Sequence, residues 1–428
     1  MKRFFKYTLG TIIVLALWVV VAFFGTQKGI LHSKITKENS SEAYITAVKK
    51  EINKDFVGNF ALATFKNGNL EHEEFYSVGK PINRNTIFQI ASLSKWVSAI
   101  GVMKLIEDGK LNLDKPVGTY LTRWKLPESQ FNNDEVTIRR LLSHTAGLTD
   151  GLGYSGFKPG VTPQSIEASL TKAIDADDGI DGTVHVGMQP GSEFKYSGGG
   201  YTLLQLIVEE VTGQSFASYM KSTIFEPLNM MQSSYTWDEN SGMDLINFYN
   251  SDGTKAAHYT YTSLAATSLY TSLADLETLF KAHLKGKNNE IIGRNVLQAN
   301  TLKMMRVPHA STFGMDIWGL GAILYAKTDN NDFIFGHDGK STPPINTAVR
   351  LDPETGNGII VLETGNALLA TKLASEWVFW KTGKVDLTLF AMLKDSMVST
   401  ILYGLITIIL LSIVIGLIRR PKKRKQLF

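Results

Sequence analysis

Two long uncharged apolar runs bracket this chain of 428 residues and constrain it more than anything between them. Residues Thr8 to Gly25 (TLGTIIVLALWVVVAFFG) follow Lys2, Arg3 and Lys6. Residues Val398 to Ile418 (VSTILYGLITIILLSIVIGLI) lead straight into Arg419, Arg420, Lys422, Lys423, Arg424 and Lys425. A helix of about 20 apolar residues crosses the hydrocarbon core of a bilayer, so both runs are expected to be transmembrane helices. A signal peptide is the alternative for the first run, but Ala22-Phe-Phe-Gly25 is a poor cleavage site. A buried core helix is the alternative for the second, and the block of cations behind it favours a span. Because the cations flank the outer end of each run, the positive-inside rule puts both ends in the cytoplasm and the middle outside the cell membrane. The expected organisation is residues 1–7 cytoplasmic, 8–25 anchor, 26–44 linker, 45–385 extracytoplasmic folded domain, 386–397 linker, 398–418 transmembrane helix and 419–428 basic cytoplasmic tail.

The middle has the composition of a globular domain, with 44% hydrophobic and 20% charged residues over the whole chain. A net charge of +4, much of it in the tail, gives no reason to expect a nucleic-acid partner. The absence of cysteine excludes a disulfide, a thiolate nucleophile and thiolate metal ligation. Phe56 to Phe65 is rich in strand formers, and Asn67-Gly68-Asn69 behind it signals a hairpin whose return strand is Glu71 to Val78. Ser92 to Glu107 has apolar residues near helical spacing, closed by Asp108-Gly109. From about Leu111 to Leu302 the pattern is mainly helical, most clearly at Leu203–Val211 and Leu273–Leu284. Short strand-like runs return at Trp318–Tyr325, Phe333–Phe335, Asn346–Leu351 and Gly358–Glu363, before an amphipathic helix at Ala367–Lys381. The expected fold is therefore mixed α/β: an antiparallel sheet flanked by helices, built from both ends of the middle segment, with a mainly helical region inserted.

Within Ala91-Ser92-Leu-Ser94-Lys95, two serines compete for one lysine. A lysine takes a proton from a serine only if burial or nearby cations lower its pKa from about 10.4. On a helix, residues three apart share a face and adjacent ones diverge, so Lys95 reaches Ser92 and not Ser94. At a helix start the unpaired N–H of Ser92 is also placed to hold an oxyanion. The spacing alone is weak, because Ser77 and Lys80, Ser155 and Lys158, Ser169 and Lys172, Ser192 and Lys195, and Ser218 and Lys221 share it. Ser92 as a plain helix cap is the bland alternative.

Two further segments supply context. Phe194-Lys-Tyr196-Ser-Gly198-Gly-Gly-Tyr201 sets a tyrosine before a glycine turn and a helix, where a phenol can relay a proton. Phe335-Gly-His337-Asp-Gly339-Lys340 puts a histidine and a glycine at the end of a strand, where glycine lets a ligand's backbone lie close.

In this order, the three segments resemble the serine β-lactamase and penicillin-binding hydrolase family, particularly its class C-like branch of D,D-carboxypeptidases, D-aminopeptidases and esterases. Leu141-Leu-Ser-His144-Thr-Ala-Gly-Leu148 is similar to a further segment of that branch. The resemblance covers about residues 45–385. It implies Ser92 as nucleophile, Lys95 as general base, Tyr196 as the partner that delivers the proton to the leaving group, and the N–H groups of Ser92 and Lys340 as the oxyanion hole. His337 and Gly339 would line the substrate site, and His144 would be structural. Two positions depart from the pattern. Gly198 stands where the branch often has asparagine, and His337 replaces a lysine that would hold a carboxylate at neutral pH; Lys340 and Arg306 are the candidates to replace that cation. The expected function is an acyl-enzyme hydrolase acting on D-alanyl amide or ester bonds of cell-envelope material. A β-lactamase and a non-catalytic receptor that senses wall fragments are the alternatives. No cofactor and no metal is expected: Asp175-Ala-Asp177-Asp178-Gly-Ile-Asp181 lacks the spacing of a calcium loop and reads as solvated, and Glu71-His-Glu73-Glu74 alternates across a strand.

Overall fold

A computed structural model describes residues 2–418 apart from 152, 240 and 241. The side chains invoked for orientation, Lys2, Arg3 and Lys6 and the tail 419–428, lie outside those described. The first apolar run lies within α1 (Lys2–Gln27). A helix that the sequence reading did not anticipate, α2 (Ser41–Asp55), follows, capped by the Ser40 side chain on the N–H of Ala43. Its start, Ser41–Tyr44, falls in the expected linker, and Ile45, Val48 and Ile52 are buried at helical spacing among lysines and glutamates.

Asn67 and Gly68 have φ of 52° and 75°, the positive pair that a two-residue type I′ turn requires, and they join β1 (Asn59–Lys66) to β2 (Asn69–Ser77). After β3 (Ile87–Gln89) and a single 3-10 turn at Ala91–Leu93 comes α3 (Ser94–Glu107). The inserted region holds α4 (Ile138–Leu142), α5 (Ile166–Thr171), α6 (Gly198–Thr212) and α7 (Phe216–Met220). It continues through the small pair β4 (Phe248–Tyr249) and β5 (Lys255–Ala256), then α8 (Leu264–Thr267) and β6 (Tyr270–Ser272), which pairs with β3. It closes with α9 (Leu273–Ala282) and α10 (Ala299–Met304).

The chain returns to the sheet as β7 (Ala310–Thr312), β8 (Met315–Trp318), β9 (Ile323–Lys327), β10 (Phe333–Ser341), β11 (Ile345–Leu351) and β12 (Gly358–Thr364). The expected single strand Trp318–Tyr325 is two strands, because Gly319 to Ala322 turns the chain between β8 and β9. The sheet runs β2-β1-β12-β11-β10-β9-β8-β7, antiparallel throughout, so its centre joins the two ends of the domain as expected. Both faces are buried. Phe60 and Leu62 pack on one side with Tyr44, Val48 and the helix α11 (Leu369–Thr382), whereas Ala61, Ala63 and Phe65 face the large core shared with α3 and α9. The strict alternation along β1 is the period-two geometry of a strand applied to two cores.

After the short α12 (Leu387–Met392), α13 (Lys394–Ile418) carries the second apolar run. Both α1 and α13 are long and apolar enough to cross a membrane, and few of their residues are buried within the protein. They pack on one another: Trp18 Nε1 donates to the Ile401 carbonyl at 3.2 Å, and Thr11 Oγ1 donates to Ser412 Oγ at 3.2 Å.

Candidate active site

Ala91 sits at φ 48°, in the left-handed region that costs an L-residue roughly 1–2 kcal/mol. Its neighbours hold it there. Ile90 N–H donates to the Leu269 carbonyl (2.9 Å), and the Ile90 carbonyl accepts from Thr347 Oγ1 (2.8 Å). The Ala91 carbonyl accepts from Ser94 Oγ at 2.6 Å. The turn so fixed leaves Ser92 half-buried at the lip of a cleft of about 820 Å³, while Ser94 is fully buried. Ser94 Oγ is occupied a second time, accepting the Leu269 N–H at 3.0 Å.

Lys95 is buried below Ser92. Its Nζ donates to Ser92 Oγ (3.2 Å) and to the Ala266 carbonyl (2.8 Å), and it lies 5.0 Å from the ring centroid of Tyr196 and 5.6 Å from that of Tyr201. Among the described residues it has no carboxylate partner. Lys95 Nζ thus touches the side chain of Ser92 and not that of Ser94.

Tyr196 lies across the cleft, half-buried, its ring against His144 (centroids 4.4 Å apart) and Trp318 (5.8 Å). Its hydroxyl is not hydrogen-bonded to Ser92 or Lys95; the lysine meets the ring face instead. What holds Tyr196 is His144, which grips the backbone on both sides of it. The His144 carbonyl accepts the N–H of Lys195 (2.8 Å), and His144 Nδ1 accepts the N–H of Ser197 (3.1 Å). Accepting at Nδ1 requires the neutral ring, and burial together with the nearby Lys95 charge holds the His144 pKa well below the usual imidazole range. The start of α6 behind Tyr196 is capped twice: Ser197 Oγ accepts from Gly200 N (2.8 Å), and Asp150 takes Ser197 Oγ (2.6 Å) and Gly199 N (3.0 Å). Gly198 is the first, buried residue of α6 and offers no side-chain amide to the cleft.

The fourth wall is β10. It pairs with β9 only from Phe333 to Gly336, so the edge from His337 to Ser341 has no partner on that side and faces the cleft. His337 is buried, packs on Trp318 (5.3 Å) and donates Nδ1–H to the Asp338 carbonyl at 2.6 Å. Burial, reinforced by Lys95, pushes its pKa down to about 3, so the ring is neutral near pH 7. Asp338 turns to the other face of the sheet, where it pairs with the fully buried Arg350 at 3.0 Å and ties β10 to β11. Gly339 serves a different close approach from the one anticipated. A Cβ there would lie 2.2 Å from the Ile90 carbonyl oxygen and 2.3 Å from Thr347 Oγ1, so glycine lets β10 press on the backbone that leads into Ser92.

Of the two proposed cations, Lys340 lines the cleft and is exposed. Arg306 does not line it; it is held by Asp332 at 2.9 and 2.7 Å. The acidic loop also differs from expectation: Asp175 is buried, and burial pushes its carboxyl up to about 6. Sequence reasoning missed Asp150, Thr347 and Trp318 as supports of the site. Ser197, a serine directly before a helix, carried a cap signal; the others carried none.

The model of the family described as Beta-lactamase matches residues 53–374, three quarters of the chain. Protein flp of Staphylococcus aureus (strain MRSA252) is 25% identical over 348 residues, 78% of this chain and 65% of that protein, so the chain spans less than two thirds of this relative's length. Penicillin-binding protein 4* of Bacillus subtilis (strain 168) is 33% identical over 156 residues, 35% of this chain and 31% of that protein. Among solved structures, the octameric penicillin-binding protein homologue from Pyrococcus abyssi superposes with a TM-score of 0.64 at 24% identity, over 80% of this chain and 77% of that one. The β-lactamase/D-alanine carboxypeptidase from Pseudomonas syringae does so with a TM-score of 0.60 at 17% identity, over 78% and 98%. These structures share the fold, and the family match over three quarters of the sequence places the chain in the β-lactamase family.

Proposed function

We propose that the chain is a membrane-anchored serine hydrolase that works through an acyl-enzyme on D-alanyl amide or ester bonds of envelope material at the outer face of the cell membrane. The observation that carries this reading is the contact of Lys95 Nζ with Ser92 Oγ at the lip of the cleft. Ser92 Oγ attacks the substrate carbonyl carbon and its proton passes to Lys95. The N–H groups of Ser92 and Lys340 hold the oxyanion, an interaction whose loss costs about a hundredfold or more in rate. When the tetrahedral species collapses, the bond to the leaving amine or alcohol breaks. Tyr196 and Lys95 return the proton to that group, leaving an ester on Ser92. Water then attacks the ester by the same route and frees the acyl acid. The exposed apolar surfaces of α1 and α13 support the anchor.

A fluorophosphonate or fluorescent penicillin tests the reading. Wild type should be labelled covalently and Ser92→Ala should not; no labelling of wild type, or equal labelling of both, overturns it. Turnover of D-alanyl esters, D-alanyl amides and D-Ala-D-Ala peptides then ranks the substrates.

A further inference from the structure

The cleft does not end at the catalytic residues. It runs over the open edge of β10 to a far wall made by Thr388, Ala391 and Met392 of α12 and by Asp395 in the first turn of α13. Asp395 is three residues before Val398, where the second apolar run begins, about 4.5 Å of helix rise. The polar layer on each side of a bilayer is about 5–7 Å deep. If α13 crosses the membrane, the wall of the cleft therefore lies within the head-group layer.

Aromatic rings also gather on this face. Phe313, at the tip of the β7–β8 hairpin, is 63% exposed, and its ring lies 6.3 Å from Phe23 near the outer end of α1 and 6.2 Å from Phe390 of α12. Phe23 and Phe390 are 5.5 Å apart, and Gln27 Nε2 donates to the Phe313 carbonyl at 2.7 Å. An aromatic cluster at this level suits the interface between lipid and water. The same hairpin carries Trp318 against Tyr196 and His337, so the lipid contact and the site are parts of one packed unit.

We infer that the substrate is itself tethered to the membrane: the D-alanyl ester or amide is carried on a lipid-anchored head group whose chains stay in the bilayer beside α13 while the scissile bond reaches Ser92 along the α12 wall. This rests on the hydrolase reading above and narrows its substrate class. A soluble substrate gains nothing from a cleft opening into the head-group layer, whereas a tethered one is held there at high effective concentration.

The test uses the full chain in lipid nanodiscs with two probes bearing the same bond, the D-alanyl ester of dioleoylphosphatidylglycerol in the disc and the D-alanyl ester of glycerol in solution. Equal amounts should be hydrolysed about tenfold or more faster from the lipid. Ala391→Trp and Thr388→Trp, which fill the far wall, should each lower the ratio of lipid to soluble rate by about threefold or more. Equal rates on the two esters, or a ratio unmoved by both variants, overturn the tethered substrate. Fluorophosphonate labelling of Ser92 in the same discs separates the failures. Labelling with a ratio of one defeats only this inference, and absence of labelling in wild type defeats the hydrolase reading and this one with it.

Discussion

Ser92 and Ser94 stand two residues apart and should respond to alanine in opposite ways. Ser94 Oγ makes two buried hydrogen bonds, to the Ala91 carbonyl and from the Leu269 N–H. Its removal strands the Leu269 N–H, and a buried donor left without a partner costs about 1–3 kcal/mol beyond the lost bonds, so Ser94→Ala should destabilise by about 2–4 kcal/mol. For residues 53–374, an unfolding entropy of about 2.1 cal/mol/K per residue gives about 0.7 kcal/mol/K, hence a Tm lower by roughly 3–6 °C. The Ala91 turn would also lose one of its restraints, so acylation should slow without vanishing. Ser92 makes one side-chain hydrogen bond, from Lys95, whose Nζ keeps the Ala266 carbonyl as a partner when Ser92 is lost. Ser92→Ala should therefore leave Tm within about 2 °C and abolish acylation. Thermal unfolding of the detergent-solubilised chain, paired with fluorophosphonate labelling at low probe concentration, reads both quantities. The reasoning is refuted if Ser94→Ala ends labelling at unchanged Tm, or if Ser92→Ala is still labelled.

Tyr196→Phe removes a hydroxyl with no hydrogen bond to Ser92 or Lys95, so Tm should hold while turnover of a D-alanyl ester falls by about 10²–10⁴, the range for losing a general acid or base; a Tm loss with intact turnover would make the residue structural. Gly339→Ala places a methyl 2.2 Å from the Ile90 oxygen, and the overpacking should cost about 1–3 kcal/mol, with acylation slowed about a hundredfold by displacement of Ser92, both read by the same pair of assays. His283, stacked on Trp96 at 5.3 Å with neither ring nitrogen hydrogen-bonded, has its pKa pushed down to about 3 by burial. Below its unfolded value of about 6.5 the unfolded chain takes up a proton that the folded chain refuses, so stability is full above that pH and falls with acid, by about 2 kcal/mol at pH 5. His283→Phe should remove that slope, so that its advantage in Tm over wild type grows from pH 7.5 to pH 5.

The frame of the fold was legible where local chemistry and tertiary need agree. Asn67-Gly68 specified a turn that the twist of β1 and β2 requires, and the strand-like runs at both ends of the domain met in one sheet. Where a local pattern had two readings, the tertiary one won. The charged face of α2 hid Ile45, Val48 and Ile52, and Gly319 to Ala322 broke a run that looked continuous. At the site, the Lys95 contact with Ser92 followed from helical spacing. The grip of His144 on both flanks of Tyr196 did not, because it joins a carbonyl and a ring to N–H groups some fifty positions away. The Thr347 bond to Ile90 spans 257 positions, and no local pattern reports it. Asp175 misled for the opposite reason: its neighbours Asp177 and Asp178 are polar, and only the fold puts it inside.

The two departures from the family pattern act together on what the cleft can hold. Since the carbonyl of Asp338 can only accept, His337 Nδ1 must carry the proton, and Nε2, which has no partner, is left as a bare acceptor. With its pKa at about 3, the ring keeps that form across the pH range of living cells. A lysine in this place would present a cation to a terminal carboxylate; the neutral histidine presents none, and its Nε2 is buried. Gly198 removes the amide that would have bound a substrate carbonyl, and Arg306, tied to Asp332, supplies no cation in exchange. Asp177 and Asp395 add negative charge to the lining against the exposed Lys340. That polarity favours a substrate whose D-alanyl group carries a free ammonium, as an ester-linked D-alanine does, over one ending in a carboxylate. Within the proposed hydrolase reading, it weighs toward esters and against a carboxypeptidase.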